Sequence, residues 1–434
     1  MNPIIASNSS SSLLSTISSS SAVMSNPYVY SQTGNVDEFT STQWIKTSPQ
    51  SFNQGTQNQT LHFDIAKMGL VGRAVLEIPW VLKTDGDSTG ILCPCFPTQA
   101  IQEVTLTSQG RVISRLDRSS LIARLSERPP YVAKGMNTAL KLTKTAQSLA
   151  TTGITATTGT SSYLSLDFAF NSDQYSLDTL FLQSVRISVT IGNLGSLVRA
   201  ASGHAFKDDL QYSSPHVYIQ YKNQNQQASD ALVSANYSSG LLSQILPTNV
   251  SETVKYTSMD ATEGEETTFT AELKETSCVE NLYVFLMMDP DATANSAGWS
   301  EEDCTPLHVT GNITFASNGQ NWFDMPAELI GTFGYENQKG RNAYDYCPTM
   351  DSANSGGNPI VAVYCINFGQ GGLCSNTVSG LVSMRELSNP TVSVTTKATA
   401  NTKGKKVGLH VAYNTRQLST VVSSSGMINI ALSN

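Results

Sequence analysis

The sequence predicts an all-β protein built of two consecutive units, and three observations lead to this prediction. Charged residues make up only 14% of the 434-residue chain, well below the roughly 25% that is usual in soluble domains. Ser, Thr, Asn, Gln and Gly take their place, a vocabulary of strands and turns rather than of exposed helices. Short stretches that alternate apolar and polar residues recur along the chain, separated by Gly, Asn and Pro. Such a pattern is typical of sandwiches, barrels and jelly rolls.

Composition also argues against several classes of protein. The net charge is −8, whereas a protein that coats nucleic acid needs Lys and Arg to displace counterions. Seven cysteines, an odd number, argue against a disulfide scaffold and for reduced thiols. The longest apolar runs, such as residues 282–288, are far shorter than the ~18–20 residues that span a membrane. The first basic residue is Lys46, so the basic start of a signal peptide is missing.

Residues 1–50 are predicted to form a flexible N-terminal arm. Residues 7–21 read SNSSSSLLSTISSSS, and Asp37 and Glu38 are the only charged residues among the first 40. So polar a segment cannot bury enough apolar surface to fold alone. We therefore expect the arm to become ordered only against a partner.

The first unit is predicted over residues 51–205. Leu61, Phe63 and Ile65 alternate with polar residues, as in a half-buried strand. Residues 100–114 resemble two strands joined around Gln109 and Gly110. Residues 184–192 alternate in the same way, with Val and Ile at every second position. The best helical candidate is residues 131–150, which the Thr- and Gly-rich stretch 151–162 ends as a loop.

The second unit is predicted over residues 206–434, with the division between the two halves near 200–212. Its predicted strands are connected by loops of very unequal length, and the division rests on this second series of alternating segments. The predicted strands are residues 216–222, 267–273, 281–288, 307–315, 358–368, 390–396, 406–414 and 426–433.

Chemistry-bearing motifs are weak throughout, so we predict no catalytic, cofactor-binding or metal-binding residue. Cys93 and Cys95 lack the second cysteine pair of a structural zinc site. Cys304 and His308 have no spacing that indicates a nucleophile and its base. The acidic residues 289–303 lack the glycine and ligand spacing of an EF-hand, and residues 369–372, GQGG, lack the Lys of a phosphate-binding loop. The basic cluster KGKK, residues 403–406, is read as a solvated loop.

Several stretches in the first half resemble the major capsid proteins of the double jelly-roll class, which form the shells of tailless icosahedral DNA viruses. Residues 63–82 are similar to the first two strands of the family's first roll, although Leu70 stands where the family has Asp. Residues 100–122 are similar to a strand pair around a Gly-Gly turn, with Gln109 replacing one Gly. Residues 164–191 resemble the end of the first roll. The matching positions in the first stretch are Phe63, Ile65, Lys67, Gly69, Leu76, Ile78 and Pro79.

The second half carries further resemblances in the family's order. Residues 213–223 look like the opening strand of the second roll, and residues 313–323 are similar to an Asn-Gly turn followed by an aromatic residue. Residues 360–387 resemble the family's late strand and its Ser-Gly turn, in which Ser379 and Gly380 are kept. The flanking consensus differs there. The closing strands are similar to residues 407–434, which include Tyr413, Asn414 and Gly426.

The resemblance implies a structural protein of the virion and no enzyme. It implies two tandem eight-stranded jelly rolls with short helical insertions, and a homotrimer that imitates a hexamer in an icosahedral shell. The implied partners are neighbouring capsomers, minor or penton proteins and, for the arm, an internal membrane at the inner side of the shell. Direct nucleic-acid binding is not expected, and assembly is expected in the host cytoplasm or nucleus.

Two other classes fit the β-rich texture less well. A carbohydrate-binding β-sandwich, such as a lectin or viral fibre, should present clustered exposed aromatic residues, and the four tryptophans are dispersed. A cupin-like enzyme should carry a His-rich metal motif, and the chain has only five histidines. The tryptophans are Trp44, Trp80, Trp299 and Trp322.

Overall fold

The fold was analysed in a computed structural model of the chain. The predicted helix at 131–150, the glycine at position 380 and most of the predicted arm lie outside the residues that the structure describes. The described residues are 39–53, 58–82, 90–92, 98, 100–126, 160–166, 168, 177–179, 182, 184–192, 198–200, 210–224, 241–252, 256–274, 278–289, 306–330, 363–368, 382–400, 402–422 and 427–431.

Strands dominate both halves of the described chain. In the first half they are β1 (Phe39–Thr47), β2 (Thr60–Asp64), β3 (Leu70–Leu82), β4 (Gly90–Leu92), β5 (Ile101–Ser108), β6 (Arg111–Asp117), β7 (Thr160–Ser165), β8 (Leu177–Asp178), β9 (Val185–Ile191), β10 (Val198–Ala200), β11 (Leu210–Tyr212) and β12 (His216–Gln224). The second half contains β13 (Leu241–Glu252), β14 (Tyr256–Ser258), β15 (Glu266–Glu272), β16 (Cys278–Met288), β17 (Asn312–Ser317), β18 (Gln320–Pro326), β19 (Tyr364–Asn367), β20 (Val382–Ser383), β21 (Thr391–Lys397), β22 (Lys406–Val422) and β23 (Met427–Ala431).

Two helical elements matter for the packing. The α-helix α1 (Arg118–Ser126) follows β6 directly. Asp117 is the N-cap residue of this helix, because its Oδ1 accepts a hydrogen bond of 2.8 Å from the backbone N–H of Ser120. In the second half, residues 327–330 form a helical segment directly after β18.

The first half is a jelly roll of two facing antiparallel sheets. One sheet has the order β1-β12-β3, with β7, β8 and β11 also paired to β3, and the other has the order β2-β9-β5-β6. The chain passes repeatedly between the two sheets, although β5 and β6, β7 and β8, and β11 and β12 are consecutive strands of one sheet. A short ribbon, β4 with β10, lies outside the two sheets. Such a double sheet has few exposed edges, because the chain returns repeatedly to the same two layers.

The second half repeats this arrangement. Its first sheet has the order β13-β22-β16-β19, with β14 and β23 paired to β22 and β20 paired to β16. Its second sheet has the order β15-β21-β17-β18. The principal strands follow the same order as in the first half, while the short strands β11, β14 and β23 pair differently. The all-β prediction of two tandem jelly rolls is confirmed.

Each roll encloses one apolar core between its two sheets. In the first roll, the side chains of Leu61, Phe63 and Ile65 are buried as their alternation predicts, and the alternating residues of β9 face the same core. Phe269, Phe315 and Val394 lie in the core of the second roll. Leu387, the last residue of the family-like stretch 360–387, packs against that second core.

Both rolls contain the same two-residue hairpin turn. Gln109 and Gly110 connect β5 to β6 with φ angles of 49° and 77°, and Asn318 and Gly319 connect β17 to β18 with φ angles of 52° and 73°. Two successive positive φ angles define a type I′ turn, whose twist matches that of the strands it joins. The predicted turn around Gln109 is therefore confirmed, and the two turns give a common reference point for comparing the rolls.

The predicted boundaries of the first roll are wrong at both ends. Residues 213–223 were expected to open the second roll, but β12 pairs with β1 and β3 in the first sheet, and Val217, Ile219 and Tyr221 lie in the first core. The division near 205 therefore falls before the last strand of the first roll. At the other end, β1 begins at Phe39, inside the predicted arm. Alternation identifies a strand but not its pairing partner, which explains the first error. The second error has another cause, because β1 is mostly polar and shows no apolar alternation.

Gly311 should be among the least replaceable residues of the second roll. A Cβ atom at this position would lie 2.4 Å from the backbone carbonyl oxygen of Thr395. We expect Gly311→Ala to lower the free energy of unfolding by about 1–3 kcal/mol, because a backbone oxygen within a sheet cannot easily move aside. Urea unfolding measures the change. Gly110→Asn is the control, since no atom lies within 4 Å of that Cβ position and Asn tolerates positive φ. Equal stability of both variants would contradict the prediction.

Candidate interaction surfaces

The two rolls of one chain meet at an apolar interface. Ile122 and Ala123 of α1 pack against the outer face of the β16–β22 sheet, on the side opposite the second core. Every residue of β16 is consequently buried, because one side of the strand faces its own core and the other faces the first roll. The residues of the second roll in this inter-roll interface are Tyr283, Phe285, Met287, Val363 and Ala412.

His410 lies at the edge of the inter-roll interface and links the two rolls. Its Nδ1 is 2.8 Å from the hydroxyl oxygen of Ser119 in α1. The imidazole stacks on the Phe285 ring, with 5.2 Å between centroids and 8° between planes, and Tyr256 meets it edge-on. Burial and then the positive charge of Arg118 lower the pKa of His410 from 6.5 to about 3. The interface therefore contains a neutral imidazole.

The corresponding outer face of the first roll is polar. It is formed by β1, β12 and β3, and its centre is the carboxylate of Glu77, which is only 8% exposed. Tyr218 donates a hydrogen bond of 2.9 Å to Glu77 Oε2, and the Lys46 ammonium lies 3.4 Å from the same oxygen. Tyr163 donates a longer bond of 3.4 Å to Glu77 Oε1. Lys46 also lies over the Tyr218 ring, 5.5 Å from its centroid.

This polar network keeps Glu77 ionised. Burial by itself raises the pKa of Glu77, but the hydrogen bonds from Tyr218 and Ser161 and the charge of Lys46 outweigh it, and the pKa is lowered. A carboxylate with a depressed pKa contributes stability above its usual pKa and loses it as the pH falls through the lower value. The outer face of the first roll therefore carries a fixed ion pair at neutral pH.

Among the described residues, six large apolar side chains are exposed. Trp44 on β1 is 47% exposed, Trp322 on β18 is 55% exposed, and Leu329 in the helical segment after β18 is 42% exposed. Solvent-exposed tryptophan is unusual in a soluble chain and is enriched at protein–protein contacts. The other large apolar side chains that are exposed among the described residues are Met68, Val112 and Tyr256.

The motifs considered for chemistry are not assembled into a site in the described residues. Cys93, Cys95, Cys304 and residues 369–372 lie outside them. Within that part of the chain, no three His, Cys, Asp or Glu side chains come together in a way that could hold a metal ion. Asp289, the first of the acidic stretch, pairs with Lys406 at 3.5 Å. Lys403 pairs with Glu263 at 3.6 Å beside the turn at Gly404, so the first part of the KGKK cluster lies in a solvated turn, while Lys406 begins β22.

Tryptophan placement also bears on the carbohydrate-binding alternative. Trp80 is buried and donates a hydrogen bond of 2.9 Å to Ser162, while Trp44 and Trp322 are exposed on different rolls. The tryptophans of the described residues are therefore not clustered on one surface. No helix within these ranges is both long and apolar enough to cross a membrane.

The residues of the inter-roll interface were not predicted from the sequence. One signal was present, because residues 282–288 form a continuous apolar run instead of an alternating one, and such a run is typical of a strand buried on both faces. Nothing in the sequence indicated that α1, nearly 160 residues earlier in the chain, would cover that strand.

Comparison with solved structures supports the fold over almost the whole chain. The protein VP54 of the virus PBCV-1, as fitted into a reconstruction of the virophage Sputnik, is similar with a TM-score of 0.62 and 13% identity, covering 91% of this chain and 97% of that one. The Faustovirus major capsid protein gives 0.59 and 9%, covering 87% and 90%. The mavirus major capsid protein gives 0.54 and 10%, covering 90% of both chains.

By contrast, no protein-family model and no curated protein matches the sequence of this chain. Structural similarity at about 10% identity demonstrates a shared fold and not a shared function, because one fold can host many unrelated functions. The strand order of both rolls and the match over most of each chain indicate the same fold. This protein therefore has the double jelly-roll fold, the fold it shares with the major capsid proteins of Faustovirus and mavirus.

Proposed function

We propose that this chain is a major capsid protein. Three copies form a homotrimer of six jelly rolls, and this pseudo-hexameric capsomer tiles an icosahedral virus shell. The role is structural and requires no catalytic residue or cofactor. The site of action is the virion, after assembly in the cytoplasm or nucleus of the host.

The observation that carries this proposal is the repetition of one topology within one chain. Two jelly rolls with the same strand order lie side by side through an apolar interface. Such a chain supplies two similar building blocks in a fixed orientation, so three copies arranged about a threefold axis present six similar blocks. The fold shared with viral major capsid proteins supports the same reading.

The partners follow from this role. Neighbouring capsomers and minor or penton proteins are the proposed partners at the rim of the trimer. The Ser-rich arm that precedes β1 is proposed to contact a neighbouring capsomer, a minor protein or an internal membrane. Its first 40 residues contain no Lys or Arg, so direct binding to the genome is not part of the proposal.

The trimer is the first test of the proposed function. Light scattering of the purified chain should give three times the chain mass of 46.6 kDa, because obligate interfaces bury enough apolar surface to persist on dilution. Negative-stain microscopy of the same sample should show particles with a hexagonal outline. A protein that stays monomeric over the whole micromolar range would contradict the proposal.

A further inference from the structure

The contact between the two rolls of one chain has a direction. It joins the corner of the first roll, β6 with α1, to the outer face of the second roll, formed by β13, β22 and β16. We call these the first corner and the second outer face. Each roll also has a surface that this contact does not use. The second corner is β18 with residues 327–330, and the first outer face is β1, β12 and β3.

The two corners correspond in position from the turn as far as residue 330. Each starts from the same I′ turn and continues through a seven-residue strand into a helical segment. Counted from the turn, Glu328 takes the place of Ser119, whose hydroxyl contacts His410. Leu121 and Ile330 then occupy the same position, and both are buried in the core of their own roll. The second corner therefore repeats the first corner as far as Leu121, and the positions that correspond to Ile122 and Ala123 lie outside the described residues.

The two outer faces correspond as well. Tyr218 lies between the core residues Val217 and Ile219 and pairs with Val75, as His410 lies between Leu409 and Val411 and pairs with Phe285. In this register, Glu77 takes the place of Met287. The first outer face is thus a polar counterpart of the second outer face.

The exposed tryptophans and Leu329 mark these same two surfaces. Trp44 lies on β1 of the first outer face, while Trp322 and Leu329 lie on the second corner. Exposed apolar side chains are therefore present on both surfaces that remain after the intrachain contact has been made.

We propose that the second corner of one copy seats on the first outer face of the next copy, in the orientation of the inter-roll contact. This proposal rests on the proposed function, for which it names the surfaces that hold the capsomer together. It places Leu329 and Glu328 of one copy over the region of Trp44, Lys46 and Tyr218 of its neighbour. The contact is heterologous, so it generates a closed ring when the rotation per copy closes. Three copies then form a ring of six rolls.

The difference in polarity between the two contacts has a physical reason. The inter-roll contact forms as the chain folds and can be as apolar as a core. The first outer face is in water until a second copy arrives, and its Lys46–Glu77–Tyr218 network keeps it soluble until then. Interfaces that assemble from folded subunits combine a few aromatic anchors with polar surroundings, which is the composition found here.

The test uses two single variants of the full chain, Trp44→Asp and Leu329→Asp. Each places a charge within one of the two surfaces, and both side chains are exposed in the single chain, so melting followed by circular dichroism should show folded proteins. Light scattering at 20 μM should show monomers for both variants, because the dissociation constant of the trimer is expected to increase at least tenfold. Val112→Asp is the matched control, because Val112 is also an exposed apolar residue, at 48%, on neither of the two surfaces, and this variant should remain trimeric.

Mixing the two variants distinguishes a directional contact from a symmetric one. The second corner of Trp44→Asp and the first outer face of Leu329→Asp are both intact, so an equimolar mixture should form a one-to-one heterodimer but no closed ring. Trimers from either single variant would overturn this inference and leave the proposed trimer standing, as would a mixture that stays monomeric. A wild-type chain that is itself monomeric would overturn both.

Discussion

Replacing Phe285 by Ala should destabilise the whole chain by about 3–5 kcal/mol, the usual range for truncation of a buried aromatic residue. Phe285 is fully buried on the side of β16 that faces the first roll, in contact with the inter-roll cluster and stacked on His410. Its loss opens a cavity between the rolls rather than within one core. Urea unfolding followed by tryptophan fluorescence measures the change.

The same variant tests whether the two rolls unfold together. If the inter-roll interface couples them, wild-type protein should unfold in one calorimetric transition, and Phe285→Ala should divide it into two. Phe285→Leu keeps most of the apolar volume and should retain a single transition with a smaller loss. An unchanged melting temperature for Phe285→Ala would show that the interface contributes little, and that each roll is stable by itself.

Acidification from pH 7 to pH 5 should remove about 2 kcal/mol of stability through His410 alone. The pKa of His410 is lowered to about 3 by burial and by Arg118, whereas an unfolded chain has the ordinary value of 6.5. Between these two values only the unfolded state binds the proton. The contribution of His410 to stability is therefore complete above pH 6.5 and is lost progressively toward pH 3. The stability lost is about 1.4 kcal/mol for each pH unit.

A histidine variant isolates this effect from the titration of carboxylates. His410→Gln retains a polar group that can face Ser119 but does not titrate, so its stability should change little between pH 7 and pH 5. His62→Gln is the matched control, because His62 contacts Ser188 within the first roll and the variant keeps His410. It should therefore show the wild-type slope. If wild type and His410→Gln lost the same stability between pH 7 and pH 5, His410 would not be the group responsible for the loss.

Many of the strands and the tight turn at Gln109 were predictable from the amino-acid sequence. The alternation over Val185–Ile191 identifies which side chains share a face, because the side-chain period of a strand is two residues, and these residues are indeed buried at alternate positions. The pair Gln109 and Gly110 marked a hairpin turn correctly. Family-like stretches in the right order predicted two tandem jelly rolls, and that prediction is confirmed.

The pairing of the strands and the contacts between surfaces could be read only from the folded chain. Period-two alternation contains no information about the partner of a strand, so β12 was assigned to the wrong roll. β1 is mostly polar and shows no apolar alternation, so it was assigned to the arm. Ser119 and His410 are 291 residues apart in the chain, and their contact depends on the packing of one complete roll against another. The burial of His410, and with it the lowered pKa, follows from that packing. The continuous apolar run of β16 indicates that both faces of the strand are buried, but it does not indicate which element covers them.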